Sequence, residues 1–307
     1  MKLRRVSTAA AAAVVLGGLA SAPAISATAA GTASASAGSI TAACAMTAGS
    51  VNSAGDLRYS TITATAPPTM KQGTGPHMYT PGAARISSTW TDTLLNPVGR
   101  VTSGYVVLGS SLYSSAYGTD TAGQPINRST RIGGGWGNFT MVEESFYLGA
   151  GAPSTGRGNR YGLRSDGVLF RWAGGWRAAG SYPGFASVKA MALISETATY
   201  DTFLATTRGG ALYTIRIPVT SPLKPVVKQV RKSTWQGFEH IVAEKCGAQG
   251  TLLTAIDKDS GSAYLYAVSH ANGTATVIKG LGKVPGTYKD SLYYLTTAEG
   301  NPPLFGE

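Results

Sequence analysis

The chain has 307 residues, of which 43% are hydrophobic and only 13% charged, and its 26 Lys and Arg outnumber 15 Asp and Glu for a formal net charge of +11. Past residue 30 no stretch approaches the roughly 18 consecutive apolar residues of a membrane-spanning helix, so no such span is expected there. Two cysteines and three scattered histidines give no zinc-ligand spacing, and the cation excess favours anionic partners.

Residues 1–30 read as a secretory signal peptide. Lys2, Arg4 and Arg5 make a positive n-region, Ala9 to Leu19 is a short apolar run, and Ala-x-Ala-like sites follow near Ala24 and Ala29. A secreted, extracellular protein is therefore expected, with residues 31–307 forming one domain. Export permits a disulfide between Cys44 and Cys246.

The domain is internally periodic. A turn, a leucine and then a strand recur, with leucines at 57, 112, 169, 212, 265 and 304. Five of these have an aromatic directly after the leucine, as in Asp166-Gly167-Val168-Leu169-Phe170 and Gly209-Gly210-Ala211-Leu212-Tyr213. A second landmark precedes the hairpins: Trp136-Gly-Asn-Phe139, Tyr182-Pro-Gly-Phe185, Trp235-Gln-Gly-Phe238 and a weaker Pro285-Gly-Thr-Tyr288. A spacing of about 50 residues suits four short strands with their turns, and no segment sustains a helical apolar period. The expectation is an all-β fold, a single β-propeller of four-stranded blades. Six hairpins predict six blades, with residues after the signal peptide completing the last one. Five is the alternative count, with the terminal hairpins sharing a composite blade. Cys44 and Cys246 would lie on neighbouring blades of a five-bladed ring but not of a six-bladed one.

Irregular stretches punctuate the pattern at 63–84, 149–160 and 218–225. Long loops on a regular scaffold commonly carry binding sites.

The run Thr130-Arg131-Ile132-Gly133-Gly134-Gly135-Trp136-Gly137-Asn138-Phe139, followed by Asp166 to Phe170, resembles one repeat of the tachylectin-2-like propeller lectins. The resemblance covers about 40 residues. It implies a secreted sugar-binding propeller, since members of that family are five-bladed and bind N-acetylated amino sugars at sites repeated between blades. On this basis Gly134, Gly135, Trp136 and Asn138 are candidate carbohydrate contacts.

Sugar recognition needs flat apolar faces for pyranose C–H groups and amide or carboxylate partners for hydroxyls. Trp176, Tyr182 and Trp235 join the candidates on that ground, whereas Phe170 and Trp172 are assigned to the core. Arg157, Arg160, Arg164, Arg171 and Arg177, and also Lys224, Lys228, Arg231 and Lys232, read as solvated faces that suit anions. Asp257 to Ser262 reads as a hairpin turn rather than a calcium loop, because it lacks the distal bidentate Glu.

Catalytic signatures are missing: His77, His240 and His270 fall in different repeats, and there is no G-x-S-x-G or H-E-x-x-H. Glu143 and Glu144 are adjacent and should point to opposite faces of a strand, so they are not an acid–base pair. Glu143, Asp166, Asp201 and Glu239 are the carboxylates that a propeller channel would have to gather for glycoside cleavage. The sequence therefore points to a non-catalytic lectin-like protein with no cofactor and no metal, alone or within a secreted assembly. Its partner would be a glycan or an anionic cell-wall polymer, or a protein within a secreted complex, with nucleic acid disfavoured. The alternatives are a secreted polysaccharide hydrolase or lyase using channel carboxylates, or a protein-binding scaffold without a sugar site.

Overall fold

The computed structural model describes residues 44–149 and 156–307; the predicted signal peptide lies outside them. The first blade contains β1 (Ala45–Val51), β2 (Asp56–Thr63) and β3 (Thr69–His77). The second contains β4 (Ala84–Ser87), β5 (Trp90–Leu95), β6 (Gly99–Leu108), β7 (Ser111–Thr119) and β8 (Pro125–Gly134). The third contains β9 (Phe139–Tyr147), β10 (Arg157–Arg164), β11 (Leu169–Ala173) and β12 (Arg177–Tyr182). The fourth contains β13 (Val188–Glu196), β14 (Tyr200–Thr207), β15 (Leu212–Pro218) and β16 (Val226–Arg231). The fifth contains β17 (His240–Cys246), β18 (Gly250–Asp257), β19 (Ser262–Val268) and β20 (Ile278–Val284).

The last strand, β21 (Leu292–Ala298), returns to the first blade. It pairs antiparallel with β1 from Val51↔Leu292 to Thr47↔Thr296 and becomes that blade's inner strand. Its end also runs parallel to β5, joining the first two blades into one continuous sheet. In the second blade β4 and β5 both pair with β6, as two halves of one inner strand. The inner strands touch in sequence around the ring: β21 with β4 and β5, β4 with β9, β9 with β13, β13 with β17, and β17 with β21.

The count is thus five four-stranded blades, the lower of the two that the repeats allowed. The sixth hairpin signal, Asn301 to Phe305, is not a hairpin: Leu304 is half-buried and Phe305 is exposed. Closure also comes from the opposite terminus to the one expected, with a C-terminal inner strand instead of an N-terminal outer one.

Burial explains the strand sequences. Middle strands are covered on both faces by neighbouring blades, so β14 (YDTFLATT) is buried from Asp201 to Thr207. Outer strands meet solvent, so β8 (PINRSTRIGG) is exposed along most of its length. A strand hidden on both faces reads as a continuous apolar run, not as an alternation.

The buried side chains divide into five clusters, one for each interface between blades. An open stack of five sheets would have only four interfaces. Each cluster holds one hairpin leucine: Leu57, Leu112, Leu169, Leu212 or Leu265. Each also holds one corner aromatic whose N–H donates to the turn carbonyl of the preceding blade. The bonds are Tyr79 to Gly55, Trp136 to Ser110, Phe185 to Gly167, Trp235 to Gly210 and Tyr288 to Gly261. This fixes the register of the repeat. Phe185 is the equivalent of Trp136 and Trp235, not of Phe139 and Phe238. Leu212→Ala, which empties a fully buried position, is expected to cost about 2–5 kcal/mol. Leu304→Ala should cost less than half as much, and urea unfolding of the two variants checks the difference.

Cys44 and Cys246 form a disulfide with 5.6 Å between α-carbons. It ties the start of the first blade to the inner strand of the fifth, which are neighbours only in a ring of five.

Candidate functional site

Four of the five interfaces are filled mainly by aliphatic side chains and buried rings. The interface between blades two and three is different. Its buried core is only Val107, Leu112, Trp136, Phe139 and Val142, and partly exposed Trp172, Trp176, Tyr105 and Phe170 pack against it. A pocket of ≈ 300 Å³ opens there. Its floor is Leu112, Trp136, Phe139, Trp172 and Trp176, and its wall is Ile132 to Gly135.

The rings are mutually braced. Trp136 lies 4.4 Å from Phe139 and 5.4 Å from Trp172, centroid to centroid, and Trp172 lies 5.6 Å from Trp176. Trp176 ends the short 3-10 turn Gly174–Trp176 at φ 61, a left-handed conformation that is rare for a bulky residue. It is held edge-on to Tyr105 at 5.0 Å and covered by the Arg160 guanidinium at 5.3 Å. Arg160 is in turn paired with Glu144 at 2.8 Å. A strained residue held by its surroundings is a recognised mark of a binding site. The Trp176 indole N–H is buried beneath these groups and has no hydrogen-bond partner among the described residues.

The glycine wall keeps the pocket open. A Cβ at Gly133 or Gly135 would meet nothing within 4 Å, and Gly135 also sits at φ +86.

Of the predicted contacts, Gly134, Gly135, Trp136 and Trp176 converge on this pocket. Asn138 is exposed at the same corner, and its backbone carbonyl accepts from Ser165. Tyr182 is exposed at the end of β12, on the corner to blade four. Trp235 is buried between blades four and five, packed on Phe238 and Tyr266. Trp172, assigned to the core from sequence, belongs to the pocket floor. Its alternation with Phe170 along β11 hid the fact that the neighbouring interface is not sealed.

The arginines read as a solvated face are mostly engaged. Arg171 is buried and donates to the carbonyls of Pro218, Ala179 and Thr220. Arg157 pairs with the fully buried Asp201. The Asp257–Ser262 turn is a plain hairpin, with Ser260 N–H donating to Asp257 Oδ1. No cluster of metal-ligating side chains occurs among the described residues.

A second cavity of ≈ 450 Å³ lies on the ring axis. Inner strands supply its walls, and so do Pro302, Pro303 and Leu304 of the C-terminal segment. Glu143, Glu144, Glu196, Glu239, Glu244 and Glu299 all border it. Glu143 and Glu144 therefore share the cavity, contrary to the strict alternation expected of a flat strand. Of the four carboxylates that a channel enzyme would need, Glu143 and Glu239 reach it, whereas Asp166 lies on an exposed turn and Asp201 between blades three and four. Glu143 accepts from the N–H groups of Thr89 and Glu144, Glu196 from that of Phe146, and Glu239 pairs with Lys189 at 2.6 Å. Burial raises the Glu143 carboxyl to about 7 and that of Glu196 to about 8. Burial lowers His240 to about 4, with Lys258 adding to the effect.

A carboxyl whose folded pKa is raised stabilises the fold fully below its unfolded value, near 4.5, and that contribution is lost as pH climbs through the folded value. The window here runs from about 4.5 to about 8. Glu196→Gln should therefore raise the melting temperature more at pH 8.5 than at pH 5. Calorimetry at the two pH values checks this, and equal shifts would contradict it.

No protein-family model matches the chain, and no curated protein matches it significantly. Among solved structures it is similar to the fucose-specific lectin from Aleuria aurantia, described as a six-bladed β-propeller. That likeness has a TM-score of 0.45 at 12% identity and covers 83% of this chain and 85% of that one. It is also similar to the α-L-arabinofuranosidase of Podospora anserina in complex with cellotriose. The TM-score there is 0.43 at 14% identity, over 72% of this chain and 76% of that one.

Proposed function

We propose that this chain is a secreted, non-catalytic carbohydrate-binding propeller that takes a sugar at the pocket between blades two and three. The observation that carries this reading is the unsealed interface itself. Trp136, Trp172 and Trp176 gather beneath a glycine wall, where a compact fold would gain by filling the space with aliphatic side chains. Indole faces suit the C–H face of a pyranose, and the exposed Asn138 side chain at the same corner supplies a polar partner. Ligand pockets typically combine such an apolar lining with a few placed polar groups.

The test is a glycan array with wild type and Trp172→Ala. Wild type is expected to bind a defined set of glycans, and the variant to lose at least about tenfold in affinity, or 1.4 kcal/mol. Its melting temperature reports whether the fold survives. A wild type that binds no glycan, or a folded variant that binds as tightly, contradicts the reading.

One observation favours a second reading. Glu143 and Glu196, both titrating near neutrality, face one axial cavity, and a raised carboxyl is what a glycosidase acid requires. Product analysis after incubation with bound polysaccharide separates the two, because turnover would rule out simple binding.

A further inference from the structure

Acidic side chains are absent from the outer strands of this molecule, and the glutamates lie inward. Six of its seven glutamates border the axial cavity. The seventh, Glu307, is buried against Thr202 and Arg216. The outer strands β3, β8, β12, β16 and β20 contain no Asp or Glu at all, yet each carries Lys or Arg. None of those cations takes part in an ion pair among the described residues.

The excess is densest on blades four and five. Lys224, Lys232, Lys279 and Lys283 are all exposed there. Arg231 donates to the Thr276 carbonyl and joins the two outer walls. Val226 and Val227 open β16, between Lys224 and Lys232 along the chain, and are 48% and 49% exposed.

Lysines on edge strands guard against strand-to-strand aggregation. That role alone would be met by charges of either sign, yet no acid appears on any of the five edges. We propose that the outer wall of blades four and five docks a linear anionic polysaccharide, a polymer carrying carboxylate or sulfate at regular intervals. The ammonium groups would replace its counterions, and the exposed valines would meet the C–H faces between charges. β16 (VVKQVR) and β20 (IKGLGKV) carry no aromatic side chain, so there is no platform on which bases would stack. This surface does not rest on the indole pocket, which lies between blades two and three.

The test uses the full protein with immobilised polygalacturonate, dextran sulfate, neutral dextran and single-stranded DNA, between 50 and 300 mM salt on the order of the range where counterion release is read. Wild type should bind both charged polysaccharides and not neutral dextran, with log affinity falling linearly against log salt. The fourfold variant Lys224→Gln, Lys232→Gln, Lys279→Gln, Lys283→Gln should lose at least about tenfold and show a shallower salt slope. The corresponding fourfold Lys→Arg variant should keep both, which guards against a folding defect in the Gln variant. Trp172→Ala should leave this binding unchanged even if it abolishes glycan recognition at the pocket. Failure of wild type to bind either charged polysaccharide overturns the proposal, whether or not the Gln variant aggregates. So does unaltered binding by the folded Gln variant, or tighter binding to DNA than to both polysaccharides.

Discussion

Asp201→Ala is expected to lower stability by about 3–5 kcal/mol, the usual result of stranding one half of a buried charge pair. At about 2–4 °C per kcal/mol for a domain of this size, the melting temperature should fall by roughly 10 °C. Asp201 has no exposed surface and sits on blade four. Every side-chain donor it accepts from lies on blade three: Ser145 at 2.9 Å, Arg157 at 2.8 and 2.7 Å, Asn159 at 3.2 Å and Tyr161 at 2.6 Å. Arg157 also donates to the Thr197 and Tyr200 carbonyls. Burial, and then the neighbouring Asp201 charge, hold the Tyr161 phenol well above its ordinary pKa, so it stays a donor. Adding Arg157→Met to Asp201→Ala should recover part of the loss, since no lone buried charge remains. Thermal unfolding of both variants decides, and a single variant within 1 °C of wild type would contradict the assignment.

The second large effect is expected from the disulfide. Cys44 and Cys246 are 202 residues apart, so their bond closes nearly the whole ring. Replacing both with Ala should cost about 2–5 kcal/mol, again a fall of roughly 10 °C. Calorimetry with and without reductant gives the same comparison on the wild-type chain. A melting temperature insensitive to reductant would show that the ends of the ring are held without it.

The repeat was legible because each blade needs the same two things: a leucine to fill its interface and a turn tight enough to reach it. Leu57, Leu112, Leu169, Leu212 and Leu265 meet both needs, and all five are buried to 1% or less. Asn301 to Phe305 satisfied the pattern by composition alone. What it lacked was a following strand, and a local window cannot see that the preceding β21 has already completed another blade. Closure by β21 is a pairing of residues some 240 positions apart, which no local periodicity reports. The corner register slipped for a related reason: Phe139 and Phe238 follow Trp136 and Trp235 by three residues, whereas Phe185 is itself the anchor.

The pocket was half legible. The triple glycine and Trp136 stood out because glycine repeats are costly unless the backbone needs the space. Trp172 did not, because membership of a pocket depends on what the next blade leaves unfilled. The fate of Arg157 and Arg171 was hidden similarly: a cluster of arginines in sequence looks solvated until the carbonyls and carboxylate of the adjoining blade are placed around it. The absence of acids from the outer strands was invisible until strands could be ranked from the axis outward.

The closing strand offers the most direct measurement. Hydrogen exchange across Leu292–Ala298 is expected to be as slow as in the buried middle strands β14 and β18, and far slower than in the exposed outer strand β8. Exchange of that segment at the rate of a frayed tail, while β14 and β18 stay protected, would show five sheets in an open row instead of a circle.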